Sequence, residues 1–176
     1  MNRFIIDHHP DAIAKSLCDQ HIVKMPLEEA QMLCTAVRIQ APEFAEEAGL
    51  YKIAYKNHPC TIWARENSMN YMFGVRLMKA MNDEYMWRYP ERKENGKWVV
   101  NKGHTSMRHF DALVEAVKYM PNIHNFITPH PQCFSGHDDC KTNEDWPIMA
   151  YRAFYKVDKT AFARYNKGRS MPEWMQ

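Results

Sequence analysis

The densest group of polar residues on the first predicted helix of this 176-residue sequence is Asp19-Gln20-His21, Lys24 and Glu28-Glu29. On an ideal α-helix each residue advances by about 100°, so the seven-residue spacing of His21 and Glu28 places them within roughly 20° of each other. Lys24 lies between them on nearly the same face. Asp19 points to the opposite side unless a kink at Pro26 changes the phase. A carboxylate beside an imidazole and an ammonium group can transfer protons or stabilise a developing cation.

Spacing alone leaves a second interpretation open, in which Lys24 and Glu28 form an i,i+4 ion pair on a solvated helical face. Such a pair stabilises a helix by roughly 0.2–0.5 kcal/mol and has no chemical role. The catalytic interpretation makes Glu28 the central carboxylate and gives it His21 and Lys24 as neighbours. The sequence therefore predicts four candidate catalytic residues: Glu28, His21, Lys24 and Asp19.

Two long helical segments must position these side chains. Over Ala12–Arg38 apolar residues recur at three- and four-residue steps, which indicates a helix with one buried face. Pro26 has no amide hydrogen and predicts a kink or a split of this helix near residues 24–25. Asn57-His58-Pro59 predicts the start of a second long helix, which the apolar pattern extends over Cys60–Tyr89.

The rest of the chain predicts shorter elements joined by long loops. Asn95-Gly96 is a turn signal beside the apolar run Trp98-Val99-Val100 and favours a small β-hairpin. The predicted fold class is mainly α, with a single compact helical domain over residues 1–176. The other predicted elements are a short helix around Glu43–Ala48, a helix capped by Thr105 or Ser106 and ending at Pro121, a long ordered loop from Pro121 to Asn143, and a helix from about Asp145 to Tyr155 or as far as Tyr165.

Composition excludes several classes of protein. The longest apolar runs fall far short of the ~20 residues of a membrane span, and polar residues follow too early for a secretory signal. We expect no membrane association, a cytoplasmic location (the host cytoplasm for a viral protein) and five reduced cysteines. No glycine-rich phosphate loop is present, so no nucleotide or flavin cofactor is expected. The 23 Lys and Arg against 21 Asp and Glu neither predict nor exclude nucleic-acid binding.

One loop offers possible metal ligands. His130, Cys133, His137 and Cys140 supply two imidazoles and two thiols within eleven residues, a set that suits tetrahedral zinc. Paired zinc ligands normally come from two separated turns, and one crowded loop has difficulty presenting all four. We therefore interpret them as ordinary loop residues and predict no metal and no cofactor, while the zinc alternative stays open.

The N-terminal strings resemble those of a known enzyme family. Leu17-Cys18-Asp19-Gln20-His21, followed by Pro26-Leu27-Glu28, is similar to the pyrimidine-dimer DNA glycosylases of phages and algal viruses, the endonuclease V type. That family has an Asp-Gln-His string near its N-terminus and a catalytic Glu nine residues after the Asp, the position of Glu28 here. Tyr55-Lys56-Asn57-His58-Pro59 and Trp63 also resemble an Asn-His-Pro…Trp pattern of bacterial relatives, and the resemblance covers about the first 65 to 90 residues.

The resemblance implies a compact helical protein that bends DNA, extrudes one nucleotide and attacks at a damaged pyrimidine. In that family the nucleophile is the α-amino group of a processed N-terminal Thr, and the Glu protonates or stabilises the sugar. This sequence departs from the pattern there, because Asn2 occupies the second position and its bulk usually blocks removal of Met1. Lys24 can in principle replace the missing amine, since a desolvated lysine forms Schiff bases.

Three functional hypotheses follow. The first is an N-glycosylase with lyase character that acts on a flipped, damaged or modified pyrimidine. The second is a phage thymine-hypermodification transferase, which joins an amine or amino acid to activated 5-hydroxymethyluracil in DNA. The third is a DNA-binding protein without catalysis. All three have double-stranded DNA as partner, and only the second needs a small amine or amino acid.

Basic and amide side chains at other positions are candidates for DNA contacts. Those at the start of the second helix suit phosphates or base edges, and the C-terminal Lys and Arg group is interleaved with aromatic residues that suit base stacking. A helix cap and ordinary solvated faces are the alternatives. The predicted DNA-binding residues are Arg3, Asn57, His58, Arg65, Asn67, Lys156, Arg164, Lys167 and Arg169.

Overall fold

The chain begins with a buried extended segment. In the computed structural model, which describes residues 2–176, Phe4, Ile5 and Ile6 lie in the interior and are at most 5% exposed. The Phe4 ring stacks on His21 and meets Tyr155 edge-on. Burial of three consecutive large apolar residues stabilises this segment by several kcal/mol, which gives the first residues a fixed place in the fold.

Seven α-helices follow within the described residues, and they confirm the mainly α fold that the sequence predicts. None of these helices is both long and apolar enough to cross a bilayer. The helices are α1 (Pro10–Ser16), α2 (Asp19–Gln40), α3 (Pro42–Glu47), α4 (Pro59–Glu66), α5 (Ser68–Arg88), α6 (Phe110–Glu115) and α7 (Ile148–Lys159). Short 3₁₀ turns lie at Thr105–His109, Ala116–Tyr119, Asp138–Cys140 and Glu173–Met175.

The first predicted helix is divided, but not at Pro26. Leu17 and Cys18 are extended, with ψ angles of 144° and 163°, and separate α1 from α2. Pro26 lies inside the continuous helix α2. The predicted split of the helix near residues 24–25 is therefore wrong.

Contacts from outside α2 hold the helix on both sides of the proline. Pro26 has no amide hydrogen, so the carbonyl of Ile22, one turn earlier, loses its intrahelical donor. The His104 ring bonds the Val23 carbonyl, and the Ser106 hydroxyl donates to the Pro26 carbonyl at 3.2 Å. These two bonds fasten the segment before α6 to α2 beside the proline.

The second predicted helix is also divided, at Asn67. Helix α4 begins as predicted, with Pro59 in its first turn and His58 as its side-chain cap. Asn67 is extended, with φ −152° and ψ 139°, and its buried side chain donates to the Phe126 carbonyl at 2.8 Å. This bond to a distant loop interrupts the helix, and α5 starts at the next residue.

The predicted hairpin is present after α5. Strands β1 (Glu91–Glu94) and β2 (Lys97–Val100) are antiparallel, with Glu94 opposite Lys97. Asn95 and Gly96 have φ angles of +47° and +81°, which a two-residue primed turn requires. In the next segment the cap is His104, which accepts the Ser106 amide, so the prediction of Thr105 or Ser106 as cap is wrong.

Helix α2 connects two apolar clusters. Its first half packs Ile22 and Met25 into a cluster with the extended N-terminal segment, α1 and α7. Its second half packs Ala30 and Leu33 into a cluster with α5 and α6. The two adjacent glutamates of α2, Glu28 and Glu29, therefore lie at the junction of the clusters.

A single glycine permits the close approach of α5 to this junction. A Cβ atom at Gly74 would lie 2.6 Å from Glu29 Oε1 and 3.0 Å from Arg3 Nη2. Real Cβ atoms do not come so close to polar atoms that are themselves fixed. Any larger residue must therefore displace the pair formed by Arg3 and Glu29.

We expect Gly74→Ala to lower the free energy of unfolding by about 1–3 kcal/mol, because the overlap outweighs the roughly 1 kcal/mol gain in helix propensity. Urea unfolding followed by circular dichroism measures this change. Arg76→Ala, on the exposed face of the same helix, is the control and should stay within about 0.5 kcal/mol of wild type. Equal stability of Gly74→Ala and wild type would show that the pair is free to move.

Candidate active site

A buried ion pair fixes the first residues against α2. Arg3 Nε donates to Glu29 Oε2 at 2.9 Å, and Arg3 Nη2 donates to Glu29 Oε1. Both side chains are inaccessible to solvent, and the guanidinium carbon lies 4.9 Å from the centre of the Trp63 ring. Removing one partner of such a pair leaves an uncompensated buried charge, which typically costs about 3–5 kcal/mol. The pair therefore holds residues 2 and 3 at the middle of α2.

Glu28, the residue before this pair, points to the start of the chain. Its Oε2 accepts the main-chain amide of Asn2 at 3.0 Å, and its Oε1 lies 3.1 Å from Lys24 Nζ. The side chain of Glu28 is 12% exposed, whereas that of Lys24 is 67% exposed. The carboxylate is thus neither sealed in the interior nor free in solvent, and it lies beside an amine that solvent can reach.

The side chain of Asn2 is fixed by bonds to groups other than Glu28. Its Nδ2 donates to the Cys133 carbonyl at 3.0 Å, and its Oδ1 accepts the Arg3 amide at 2.8 Å. The loop that contains Cys133 thereby closes over the N-terminal segment. These bonds hold the nitrogen of residue 2 at the carboxylate without any contribution from a Thr side chain.

The turn before α4 lies close to this carboxylate. Burial lowers the pKa of His58, while the nearby charge of Glu28 acts in the opposite direction. In the same turn Tyr55 has φ +52° and is 66% exposed. A left-handed conformation of a non-glycine residue costs of order 1 kcal/mol and is concentrated at binding sites. The turn therefore presents an aromatic ring to solvent beside the site.

Residues 1–94, more than half of the chain, match the family model for pyrimidine dimer DNA glycosylase. The chain belongs to this family. The matched range contains α1–α5 and the contacts of Glu28 with Asn2 and Lys24. Comparison with curated proteins and with solved structures gives no match. Membership confirms the resemblance drawn from Asp19-Gln20-His21 and Glu28, and it indicates a DNA-processing enzyme of the glycosylase type whose substrate is double-stranded DNA.

Of the four predicted catalytic residues, the structure brings Glu28 and Lys24 into contact and gives His21 other partners. His21 stacks on Phe4 with ring centres 4.8 Å apart, and its Nδ1 lies 2.7 Å from the Tyr155 hydroxyl. Burial, with smaller contributions from Lys159 and Lys24, lowers the pKa of His21 to about 3. A neutral, buried imidazole of this kind suits the support of the N-terminal segment better than proton transfer.

Asp19 lies in a separate buried network. Its Oδ1 accepts from Arg88 Nη1 at 3.0 Å, and its Oδ2 accepts the Asn166 amide at 2.7 Å. The half-turn offset from Glu28 expected of an ideal helix therefore persists through Pro26. These contacts indicate a structural role for Asp19, and a catalytic role stays a prediction.

Three predicted DNA-binding residues are held inside or against the protein. Arg3 and Asn67 are buried and bonded to protein groups in this structure, Arg3 to Glu29 and Asn67 to the Phe126 carbonyl, and DNA contact by either stays a prediction. Arg169 donates from Nε and Nη2 to Glu84, at 2.8 Å each, and lies 4.0 Å from the Trp87 ring centre. Its guanidinium fastens the C-terminal segment to α5.

The other predicted DNA-binding residues lie at the surface. Arg65 donates to the Lys56 carbonyl and so supports the turn before α4. His58 and Arg65 are half-buried, and the exposed residues are Asn57, Lys156, Arg164 and Lys167. DNA contact by these residues stays a prediction.

The structure separates the four ligand candidates of the 130–140 loop. His130 is buried between the Trp63 and Tyr151 rings, and neither of its ring nitrogens has hydrogen-bond geometry with a residue in the described range. Cys133 Sγ lies 3.3 Å from Cys60 Sγ, on α4. His137 and Cys140 belong to a different group, with Asp139. The four residues therefore do not form one cluster.

Sequence reasoning missed the two residues that organise this region. Glu29 was not distinguished from Glu28, and Cys60 was considered only as a reduced thiol. A usable signal existed for Glu29, since two adjacent carboxylates on an amphipathic helix cannot face the same environment. The proximity of Cys60 to Cys133 has no signal in the sequence, because 72 residues separate the two along the chain.

The buried imidazole makes stability sensitive to acid. The pKa of His21 is about 3 in the folded state and near 6.5 when unfolded, so below pH 6.5 only the unfolded chain takes up the proton. We expect protonation of His21 in the unfolded chain to lower the free energy of unfolding by about 2 kcal/mol between pH 6.5 and 5. His21→Gln should remove that part of the acid slope in urea unfolding measured at pH 7 and pH 5. His8→Gln, at an exposed histidine, should leave the slope intact, and an unchanged slope in His21→Gln would refute the assignment.

Proposed function

We propose that the protein cleaves the N-glycosidic bond of a damaged or modified pyrimidine in double-stranded DNA, with Glu28 as the central carboxylate. The observation that carries the proposal is the 3.0 Å bond from the Asn2 main-chain nitrogen to Glu28. The chemistry expected of the family needs the start of the chain and a carboxylate at one place. Family membership supports a DNA substrate, and Lys24 adds an amine within 3.1 Å of the carboxylate.

The proposed reaction uses an amine as nucleophile. The amine nitrogen attacks C1′ of the target deoxyribose, the C1′–N bond breaks, and the base leaves with a proton. Loss of the remaining amine proton with opening of the sugar ring gives an imine. The C3′–O bond then breaks by β-elimination, and water hydrolyses the imine and returns the amine. Glu28 accepts the proton of the ammonium group and stabilises the positive charge that develops at C1′.

Lys24 is the nucleophile that we propose. The nitrogen of Asn2 is a peptide amide in this sequence, and its lone pair is delocalised into the carbonyl group. Lys24 Nζ is exposed and paired with Glu28, so it is accessible to a sugar bound at the carboxylate. We propose that bound DNA excludes water from this amine and so supplies the desolvation that a nucleophilic lysine requires.

The exposed turn before α4 supports an approach of DNA to this side of the protein. Extrusion of a nucleotide needs a side chain that fills the gap in the base stack and cations that contact the flanking phosphates. Ile53 and Tyr55 are 51% and 66% exposed, and Lys52 and Lys56 lie next to them. We propose that this turn inserts beside the extruded nucleotide.

A second candidate function is favoured by the amide character of the residue-2 nitrogen. In that case an external amine or amino acid takes the place of the family's N-terminal amine, and Glu28 removes its proton. The amine nitrogen bonds to the 5-methylene carbon of the activated thymine derivative as the C–O bond to the leaving phosphate breaks. The exposed Lys24 then serves to stabilise the departing phosphate.

We expect Glu28→Gln to reduce turnover by about 10²–10⁴-fold, because the amide cannot accept a proton or balance a cation. Binding to DNA should persist. Incision of ultraviolet-irradiated duplex tests the glycosylase, and mass spectrometry of nucleosides from 5-phosphomethyluracil DNA incubated with glycine tests the transferase.

Glu43→Gln, at an exposed carboxylate of α3, is the matched control and should behave as wild type. Full activity of Glu28→Gln would remove Glu28 from the proposed role. Salt-sensitive DNA binding by a wild-type protein that is inactive on both substrates would instead identify a binding protein.

Borohydride trapping identifies the nucleophile. We expect wild-type protein to form a covalent adduct with its DNA substrate, because borohydride reduces the imine to a stable amine. Lys24→Ala should lose the adduct, whereas Lys79→Ala, at an exposed lysine that also forms an i,i+4 ion pair, should keep it. An adduct that persists in Lys24→Ala and maps to the first residues by mass spectrometry would assign the reaction to the α-amino group.

A further inference from the structure

We propose that His58, Cys60 and Cys133 form a zinc-binding site beside Glu28. The three residues each offer one ligand atom, and these atoms lie within 4.8 Å of one another. They come from two separate segments, since His58 and Cys60 lie at the start of α4 and Cys133 lies in the loop before α7. Ligands presented by two segments are the usual arrangement of tetrahedral zinc sites. The proposal does not depend on the proposed function.

The spacing of the two thiols fits a shared metal ion. Their Sγ atoms are 3.3 Å apart. Two thiolates on one tetrahedral zinc, each about 2.3 Å from the ion, are separated by about 3.8 Å. A disulfide requires about 2.05 Å. The thiols therefore need to open by roughly 0.5 Å to bind zinc but to close by more than 1 Å to form a disulfide.

The ring of His58 offers an unprotonated nitrogen, which the Cys60 main-chain amide now occupies. Its Nδ1 accepts the main-chain amide of Cys60 at 3.2 Å, so this nitrogen carries no proton. Burial lowers the pKa of His58 and favours the neutral ring that a metal requires. Zinc at Nδ1 would replace the bond from the Cys60 amide, and that amide would keep its bond to the Cys133 sulfur.

Main-chain amides point at both sulfurs and act against the burial that raises the pKa of Cys60. The Arg3 amide donates to the Cys60 sulfur, as the Cys60 amide does to the Cys133 sulfur. Amide donors around metal-bound sulfur orient the ligands and reduce their charge. Water or Asn2 Oδ1, which lies 4.0 Å from Cys60 Sγ, would be the fourth ligand. Asn2 would then contact the zinc ion through its side chain and Glu28 through its main-chain amide.

Charge balance also favours binding. Each thiol releases its proton when its sulfur bonds to Zn²⁺, and two thiolates then neutralise the two charges of the ion. The nearby guanidinium of Arg3 does not oppose the ion, because Glu29 already balances it. No electron transfer is involved.

The test uses the full-length protein and needs no activity. We expect about one zinc per chain after purification by a tag without histidines, measured by elemental analysis. Replacement by Co²⁺ should give a thiolate-to-cobalt charge-transfer band and the visible bands of a tetrahedral ion. Because two protons leave, zinc affinity should fall by up to about 100-fold for each pH unit below the thiol pKa values.

Cys133→Ser and His58→Ala should abolish or weaken zinc binding and the cobalt spectrum, whereas Cys140→Ser, in the other histidine–cysteine group, should leave both unchanged. If a variant fails to fold, the zinc content and the cobalt spectrum of the wild-type protein still test the proposal. Wild-type protein that holds no zinc and gives no thiolate–cobalt band would overturn the proposal. So would an unchanged cobalt band in folded Cys133→Ser.

Discussion

The buried ion pair between Arg3 and Glu29 is the constraint on which the arrangement of this protein depends. A guanidinium without access to water must keep its carboxylate, because neither partner can be left charged and alone in the interior. The absence of a side chain at Gly74 gives the pair its space. The residues next to Arg3 therefore have one position along α2, where the main-chain nitrogen of Asn2 donates to Glu28.

The adjacent glutamates of α2 have different partners and different roles. Glu29 turns inward and fixes the chain, whereas Glu28, one residue earlier, stays at the surface of the same junction and accepts the Asn2 amide. Because Glu28 accepts a main-chain amide, this contact does not require Thr at position 2. His21 is buried for a related reason. Its ring stacks on Phe4, which belongs to the same N-terminal segment as Asn2.

Local sequence signals predicted the elements that local interactions determine. The helical period revealed α2 and α5, and Asn95-Gly96 revealed the hairpin, since both depend on residues close in sequence. The breaks at residues 17–18 and at Asn67 were not predictable, because a hydrogen bond to Phe126 and packing against distant segments produce them. The Glu28–Lys24 pair followed from helical spacing alone.

The distant contacts explain the remaining differences at the site. Whether Asp19 is catalytic or structural depends on Arg88, which is 69 residues away, and no property of the first helix encodes that partner. Burial of Arg3 likewise reflects the packing of several segments around it. The pairing of Arg3 with Glu29 is also set by that packing, and no local feature of the first residues encodes it.

The C-terminal segment covers the first turn of α2. The Asp19 amide donates to the Arg164 carbonyl at 2.8 Å, and Gln20 exchanges bonds with Phe162 and Arg164. One of the amides that open this helix, that of Asp19, is thus satisfied by a carbonyl from a distant part of the chain. The first turn of the helix that carries Glu28 therefore depends on residues 162–164 for its bonds. A chain truncated before residue 162 lacks the contacts that complete this turn.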